Sequence, residues 1–346
     1  MERRAADDRW QPTMMSSLTH LVIISFAAAV AVMKITIRRL LLGATLPSWS
    51  WRTEWAVASA RAVIANAATY RDDPVLLKIG LLIQAPIPLQ LRGKVSLRRV
   101  RIGGVKADRY TPVEAHQTDR TILYFHGGGY VFGNPGTHRQ FVARLVHATG
   151  ANAVASQYRL APQHRFPAAV NDAQKAYEAL IARGVQPESI VVAGDSAGGG
   201  LSIALMHRLR EEGLPLPAGA MLFSPYLDLE HTSYTIRSNA STDYLPLAQL
   251  SETNNWYADE EDIRDPEASP IHADLTGLPP TLVFAGGAEM LLGDSITLAE
   301  NAVRDGVDCE LVIEPEMVHV WPAVVEWQDA SQRTLDHAAS WMARRG

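Results

Sequence analysis

Cysteine is almost absent from this chain, because Cys309 is the only one among 346 residues. No intramolecular disulfide can therefore form. The CxxC and HExxH spacings of common zinc sites are also missing, so no structural metal is expected. The net charge is −5, and no run of lysine and arginine is interleaved with aromatic residues. A nucleic-acid-binding surface is therefore not expected either.

One weakly polar run, residues 21–33, stands near the N-terminus between two groups of basic residues. Thirteen residues are short for a membrane span, which needs about 20,. Basic residues follow directly where a secretory signal would carry a small-residue cleavage site. The favoured interpretation is a packed helix in a cytoplasmic protein, and a membrane anchor or surface-bound helix is the alternative. The basic residues are Arg3, Arg4, Arg9, Lys34, Arg38 and Arg39.

The pattern of apolar residues divides the chain near position 92. Residues 1–92 have helical spacing, whereas residues 93–346 alternate short apolar strands with helices. This alternation predicts an α/β fold with a mostly parallel sheet covered by helices on both faces. The predicted strands are 96–102, 109–111, 121–125, 151–156, 190–193, 218–223, 281–284 and 310–313. The predicted helices are 137–147, 167–182, 199–212, 294–305 and 326–344, with Asp294 or Ser295 as the N-cap of the fourth.

A serine flanked by glycines, Ser196, lies between a predicted strand and a predicted helix in the segment Gly194-Asp195-Ser196-Ala197-Gly198. Glycines admit the sharp backbone turn that would present the serine hydroxyl outside the fold. A serine hydroxyl is a weak nucleophile unless a base and an oxyanion hole accompany it. The turn therefore predicts a nucleophile only if both are found elsewhere.

The segment His126-Gly127-Gly128-Gly129-Tyr130 follows the predicted strand 121–125. Its spacing does not match that of a phosphate-binding loop. Consecutive glycines allow backbone N–H groups to face a developing oxyanion, so Gly127 and Gly128 are predicted donors, with Ala197 as the third. His126 is predicted to orient this loop and not to act as the base.

His319 is the predicted base because it follows the last strand and can reach the carboxyl edge of the sheet. His231 and His272 are weaker candidates, since both lie in polar loops. The acid that orients the base is predicted to be Glu289, which follows the strand 281–284; Asp294 remains the alternative. The order Ser196, Glu289, His319 is the nucleophile–acid–base order of α/β-hydrolases.

The chain resembles the hormone-sensitive-lipase-type (bacterial family IV) esterases of the α/β-hydrolase superfamily. The resemblance covers residues 90–345 and rests on the two glycine motifs and on the segments 158–162, 166–169 and 277–280. It implies an α/β-hydrolase fold with an N-terminal helical cap over the active site. It also implies hydrolysis of short- to medium-chain carboxylic esters without a cofactor. Many members have aspartate where this chain has Glu289.

Several functional questions stay open at this level. The same triad would serve a lactonase, an amidase or an acyltransferase, and a non-catalytic binding module on the same fold is a further alternative. Aromatic residues that could line the substrate pocket are Trp51, Trp55, Tyr130, Tyr226 and Trp256. The resemblance allows a homodimer through the edge of the last strand, and the apolar segment 21–33 could contact a membrane.

Overall fold

The computed structural model describes residues 14–69, 85–113 and 118–345. The sequence interpretation of 1–92 as helical therefore falls partly outside the described residues. The described residues contain eight strands: β1 (Val95–Ile102), β2 (Val105–Pro112), β3 (Thr121–Phe125), β4 (Asn152–Ser156), β5 (Ile190–Asp195), β6 (Gly219–Phe223), β7 (Thr281–Gly286) and β8 (Cys309–Glu314).

The strands form one sheet in the order β1-β2-β4-β3-β5-β6-β7-β8. β2 pairs antiparallel with both β1 and β4, and every other pair is parallel. The predicted mostly parallel sheet is thus confirmed. Six strands end at the same edge of the parallel part, and the loops after five of them carry the polar residues discussed below.

The helices are α1 (Met14–Leu42), α2 (Trp51–Thr69), α3 (Arg139–Thr149), α4 (Ala168–Ile181), α5 (Ala197–Glu211), α6 (Thr235–Ser238), α7 (Leu247–Tyr257), α8 (Leu292–Arg304), α9 (Trp321–Val324) and α10 (Asp329–Ala343). Successive residues of a strand point to opposite faces, so each buried strand contributes to two cores. Leu123 and Val192 pack with α4, α5 and α8, whereas Tyr124 and Val191 pack with α3 and α10. This explains why the central strands are uninterrupted apolar runs.

Two sequence predictions about helices differ from the structure. Neither Asp294 nor Ser295 is an N-cap, because α8 begins at Leu292 and Leu291 occupies the capping position. The side chain of Asp294 instead binds another loop. The helix α7 (Leu247–Tyr257) was not predicted, because its sequence mixes polar and apolar residues with little helical periodicity.

The N-terminal helices α1 and α2 pack against each other and contact the sheet domain through α2 and the loop before it. Trp49 donates its indole N–H to the carbonyl of Glu316 at 2.6 Å, and Gln328 donates to Thr53 Oγ1 at 2.6 Å. The guanidinium of Arg52 lies 3.8 Å from the centre of the Trp327 ring, within cation–π range,. These contacts hold α2 beside the loop after β8.

Within α1, the segment Thr19–Leu42 is long and apolar enough to cross a membrane, with a mean hydropathy of 2.1 and no buried residue. A packed helix of a soluble protein would bury one face against its core. The sequence predicted a packed helix, and in the structure only one side of α1 is packed, against α2; the rest of its surface is not buried.

Candidate active site

The polar residues selected from the sequence lie on loops at one edge of the sheet. Ser196 directly follows β5, Glu289 follows β7 and His319 follows β8. Because these strands are parallel neighbours or separated only by β6, their carboxyl ends lie side by side. This is the edge at which open α/β sheets bind ligands.

The backbone at Ser196 is strained, with φ 51° and ψ −121°, a conformation that non-glycine residues rarely adopt,. Its N–H is held by the carbonyl of Phe223 at 2.9 Å, and α5 starts at the next residue. At Gly198 a side chain would collide with the carbonyl of Phe125, so α5 can cross β3 this closely only with glycine there. The sharp turn predicted around the serine is present in the structure.

Glu289 and His319 form a buried pair. The Oε2 atom of Glu289 lies 3.8 Å from Nδ1 of His319, longer than a hydrogen bond but within ion-pair range,. The exposed fractions of the two residues are 0% and 2%. The separation is compatible with apo enzymes, in which catalytic hydrogen bonds are often long.

Burial favours the neutral form of both members of this pair. Burial lowers the pKa of the His319 imidazole to about 4. Burial also raises the pKa of the Glu289 carboxyl well above its usual range, although the hydrogen bond from Ser224 acts in the opposite direction. A neutral imidazole can accept a proton, which is the state a general base requires.

Asp294, the alternative acid, has a different set of partners. Its Oδ2 accepts the backbone N–H groups of Leu227 and Asp228 at 2.9 and 3.1 Å. Burial raises its pKa to about 7. The carboxylate therefore ties α8 to the loop after β6, and no described contact joins it to His319.

Two positioning residues were missed in the sequence. Ser224, the first residue after β6, donates its hydroxyl to Glu289 Oε2 at 2.5 Å and accepts the N–H of Val320 at 2.9 Å. It thereby connects the loop of the acid with the loop of the base. Its place directly after a buried strand was the available signal, but serine after a strand is too common to select it.

The second missed residue is Asp243, which no strand end marks. Its carboxylate accepts the backbone N–H groups of Tyr244, Met290 and His319 at 2.8, 2.8 and 3.2 Å. Burial raises its pKa to about 6, while these N–H groups and the Arg61 guanidinium act to lower it. One carboxylate thus fixes two backbone segments, the one that carries Glu289 and the one that carries His319.

The glycine loop after β3 differs from the prediction at one donor. The N–H of Gly127 donates to Asp195 Oδ1 at 3.0 Å, so it is engaged within the protein and the assignment of Gly127 as an oxyanion donor is corrected. Among the described residues, the N–H groups of Gly128, Gly129 and Ala197 have no acceptor. Gly128 has φ 116° and a side chain there would collide with the Phe132 carbonyl, which explains the need for glycine.

The carboxylate of Asp195 fixes the glycine loop through hydrogen bonds. Besides Gly127, its carboxylate accepts the hydroxyl of Tyr124 and lies 3.2 Å from Nε2 of His138. Burial alone would raise the pKa of Asp195, but His138 and the Tyr124 hydroxyl lower it overall. The residue before the candidate nucleophile therefore stays charged and fixes the glycine loop at its first N–H.

His126 stacks on Tyr158 with 4.4 Å between ring centres, and its Nδ1–H donates to the carbonyl of Gly127 at 2.8 Å. Burial lowers its pKa to about 3, so the ring is neutral. The structure thus places His126 in the loop scaffold.

The comparisons with known proteins agree with this geometry. The family model of the alpha/beta hydrolase fold matches residues 122–323, which is more than half of the chain. A bacterial esterase of the hormone-sensitive lipase family superposes with a TM-score of 0.72 at 30% identity, covering 92% of this chain and 98% of that one. This chain is a hormone-sensitive-lipase-type esterase of the α/β-hydrolase family.

Relatives of this esterase are named for ester hydrolysis. An acetyl-hydrolase of Streptomyces hygroscopicus is 43% identical over 224 residues, covering 64% of this chain and 74% of that protein. An esterase of Acinetobacter venetianus is 33% identical over 243 residues, covering 70% and 80% of the two chains. A hormone-sensitive lipase homologue from a metagenome library has a TM-score of 0.75 at 36% identity, covering 84% of this chain and 97% of that one.

The remaining candidates have structural partners in the esterase. The side chain of His231 lies 2.7 Å from the hydroxyl of Tyr226, and His272 lies 3.5 Å from Glu230. Asp228, Glu230 and His272 could together hold a metal ion by their spacing, but Asp228 already accepts two backbone N–H groups and the Thr232 hydroxyl.

The aromatic residues that the sequence offered as pocket lining differ in burial. Tyr130 and Tyr226 are buried, whereas Trp51 and Trp55 are exposed at the start of α2.

Proposed function

We propose that this esterase hydrolyses short- to medium-chain carboxylic esters through Ser196, His319 and Glu289. The observation that carries the proposal is the buried Glu289–His319 pair at the sheet edge where the strained turn presents Ser196. A nucleophile, a base and an orienting carboxylate from three separate strand ends form the recurring arrangement of serine hydrolases.

The reaction proceeds in two halves. His319 takes the proton of the Ser196 hydroxyl as its oxygen attacks the ester carbonyl, forming a tetrahedral oxyanion. The carbon–oxygen bond to the alcohol then breaks, and His319 returns the proton to the departing alcohol oxygen. Water, deprotonated by His319, attacks the acyl-enzyme, and the carboxylic acid leaves as Ser196 regains its proton.

Charge develops at two places during these steps. The oxyanion is stabilised by the N–H groups of Gly128, Gly129 and Ala197, which have no acceptor among the described residues,. The imidazolium of His319 is stabilised by the ionised carboxylate of Glu289 at 3.8 Å, and this attraction opposes the effect of burial, which raises the pKa of that carboxyl. Loss of one oxyanion donor in such sites costs about 3 kcal/mol of the activation barrier.

The acyl-chain preference is proposed from the relatives, one of which is named an acetyl-hydrolase. The N-terminal helices would limit the space above the site, because α2 reaches the loop of Asp243 through Arg61. Turnover of p-nitrophenyl esters from acetate to palmitate tests this preference. A maximum at twelve carbons or more would contradict it.

Covalent labelling tests the nucleophile. A fluorophosphonate probe should label the wild type but not Ser196→Ala, and hydrolysis of p-nitrophenyl butyrate should fall at least about 10⁴-fold in that variant. Ser202→Ala is the matched control, because Ser202 is also buried in α5 and its hydroxyl donates only to the Gly198 carbonyl. Labelling of Ser196→Ala at the wild-type rate would refute the mechanism. Faster hydrolysis of a p-nitroanilide than of the matching ester would indicate an amidase instead.

Two further proposals concern location and assembly. We propose that the catalytic domain lies in the cytoplasm, because basic residues directly follow the apolar part of α1, where a secretory signal would carry a small-residue cleavage site,. We also propose a homodimer through β8, which pairs only with β7 among the described strands. Light scattering of Ile313→Lys tests the dimer, since Ile313 is 44% exposed on β8.

A further inference from the structure

One face of α1 is apolar and uncovered by the described residues. Val22, Phe26, Met33, Ile37 and Leu40 are each more than half exposed. At about 100° of rotation per residue, these five positions lie within about 60° of arc around the helix axis. Hydrophobic side chains gathered on one exposed face mark a site of interaction with another molecule or a membrane.

The other side of α1 is occupied by the protein itself. Arg39 pairs with the buried carboxylate of Glu54 at 2.9 Å, and Thr36, at the edge of the apolar face, accepts the indole N–H of Trp55 at 3.0 Å. Ala31 and Ile35 line a cleft of about 430 Å³ between α1, α2 and residues 241–242. Lipid therefore cannot surround this part of α1 while the pairing with α2 is maintained. The geometry suits a helix that lies in the surface of a bilayer better than one that spans it.

The charges beside the apolar face are of one sign. Residues 14–42 contain no aspartate or glutamate, whereas Lys34 and Arg38 are basic; the charge of the third basic residue, Arg39, is matched by Glu54. Trp51 and Trp55, 37% and 41% exposed, lie at the start of α2, where Arg39 also contacts the Trp51 ring. Basic side chains attract anionic lipids, and indole rings prefer the headgroup region of a bilayer.

We infer that the exposed face of α1 binds the surface of an anionic lipid bilayer. A second copy of the chain is a poorer occupant, because it would bring the same basic residues and no acidic residue of α1 to the interface. The inference concerns a surface outside the catalytic machinery and does not depend on the proposed reaction.

Vesicle sedimentation of the purified full-length protein tests the inference. The protein should bind vesicles of phosphatidylcholine with 30% phosphatidylglycerol at least tenfold more tightly than vesicles of phosphatidylcholine alone. Raised salt should weaken the binding, since charged contacts at a surface are screened. Washing with alkaline carbonate should release the protein, as expected for a helix that does not span the bilayer.

Two variants locate the surface. Phe26→Glu combined with Leu40→Glu should reduce binding to anionic vesicles at least tenfold, with p-nitrophenyl butyrate turnover and thermal unfolding unchanged. Val303→Glu is the matched control, because Val303 is 81% exposed on α8, far along the chain from α1, and it should bind as the wild type does. Lys34→Glu should reduce binding to the anionic vesicles only.

Four results would overturn the inference. The first is an absence of binding by the wild type to either vesicle. The second is equal binding by the wild type and the Phe26→Glu, Leu40→Glu variant. The third is a wild-type dimer in analytical ultracentrifugation that this variant dissociates, which would show that a second copy covers the face. The fourth is retention of the protein on the vesicles after carbonate washing, which would show that α1 spans the bilayer.

Discussion

The carboxyl edge of the sheet and the α1–α2 pair differ in which side chains they bury. At the sheet edge, Glu289 and His319 are charged or polar yet buried, and hydrogen bonds from loops distant in sequence position them. On α1, Phe26 and Leu40 are apolar yet exposed, 69% and 72% respectively. Burial of the polar pair at the sheet edge costs free energy and makes the pair reactive. The exposed apolar side chains of α1 can instead contact another molecule or a membrane.

After the loss of Ser196 itself, the largest expected effect concerns the acid at the sheet edge. Glu289→Gln should lower kcat by about 10² to 10⁴-fold, because a carboxamide cannot stabilise the imidazolium that forms on His319. Steady-state hydrolysis of p-nitrophenyl butyrate measures this effect.

Asp294→Asn is the matched control for that variant. It should lose less than about tenfold, since an amide oxygen can still accept the N–H groups of Leu227 and Asp228. A greater loss in Asp294→Asn than in Glu289→Gln would transfer the role of the acid to Asp294.

A smaller effect is expected from the hydroxyl that joins the two loops. Ser224→Ala removes the donor to Glu289 and the acceptor of the Val320 N–H, and kcat should fall about 10 to 100-fold with KM nearly unchanged,. Ser202→Ala serves again as the control. If Ser224→Ala raised KM and left kcat intact, Ser224 would act in substrate binding and not in positioning.

The pH dependence of kcat/KM reports the protonation state of the base at the sheet edge. Because burial lowers the pKa of His319 from 6.5 to about 4, the base should remain neutral, and kcat/KM should stay near its plateau, until the pH approaches about 4,. The unfolded chain takes up this proton near 6.5, so the contribution of His319 to stability should decrease as the pH falls from about 6.5 to 4,. A pH-stat assay between pH 3.5 and 8 measures the acidic limb. A limb near 6.5 would instead indicate that burial does not lower the pKa of His319 in the free enzyme.

The sheet and the order of the site residues were predictable because they depend on local patterns. The segment 121–125 was predicted as a strand with the bounds that the structure has, since a short apolar run beside glycine has few alternatives,. The prediction of Gly127 as a donor failed because the competing acceptor, Asp195, lies 68 residues away in sequence. Asp243 and Ser224 were missed for the same reason: their importance lies in contacts with loops 47 to 96 residues distant along the chain.

The character of α1 was less predictable than its helical conformation. An apolar run of thirteen residues is compatible with a core helix and with a lipid-bound helix, and the sequence does not state which side faces α2,. The contact of Arg39 and the places of Ala31 and Ile35 beside α2 settle that orientation, and the exposed positions then follow from the helical period,.

The smallest expected effect lies where the two regions meet. Arg61 of α2 donates to the carbonyls of Ala240 and Asp243, so Arg61→Ala should reduce the free energy of unfolding by about 1 to 2 kcal/mol,. The Arg61 cation also lowers the pKa of the Asp243 carboxyl, which burial raises from 3.8 to about 6. A raised folded-state pKa means that the contribution of Asp243 to stability is full below about pH 4 and is lost as the pH rises through 6.

Removing Arg61 raises that pKa further, so the variant should lose more stability at pH 8 than at pH 5. Thermal unfolding at both pH values measures the difference. Arg304→Ala, which breaks the pair of the exposed Arg304 with Asp305, should leave stability nearly unchanged at either pH,. An equal loss for Arg61→Ala at pH 5 and pH 8 would show that the arginine joins the two regions only through its hydrogen bonds to the carbonyls, and that the charge on Asp243 is balanced within the sheet-edge loops themselves.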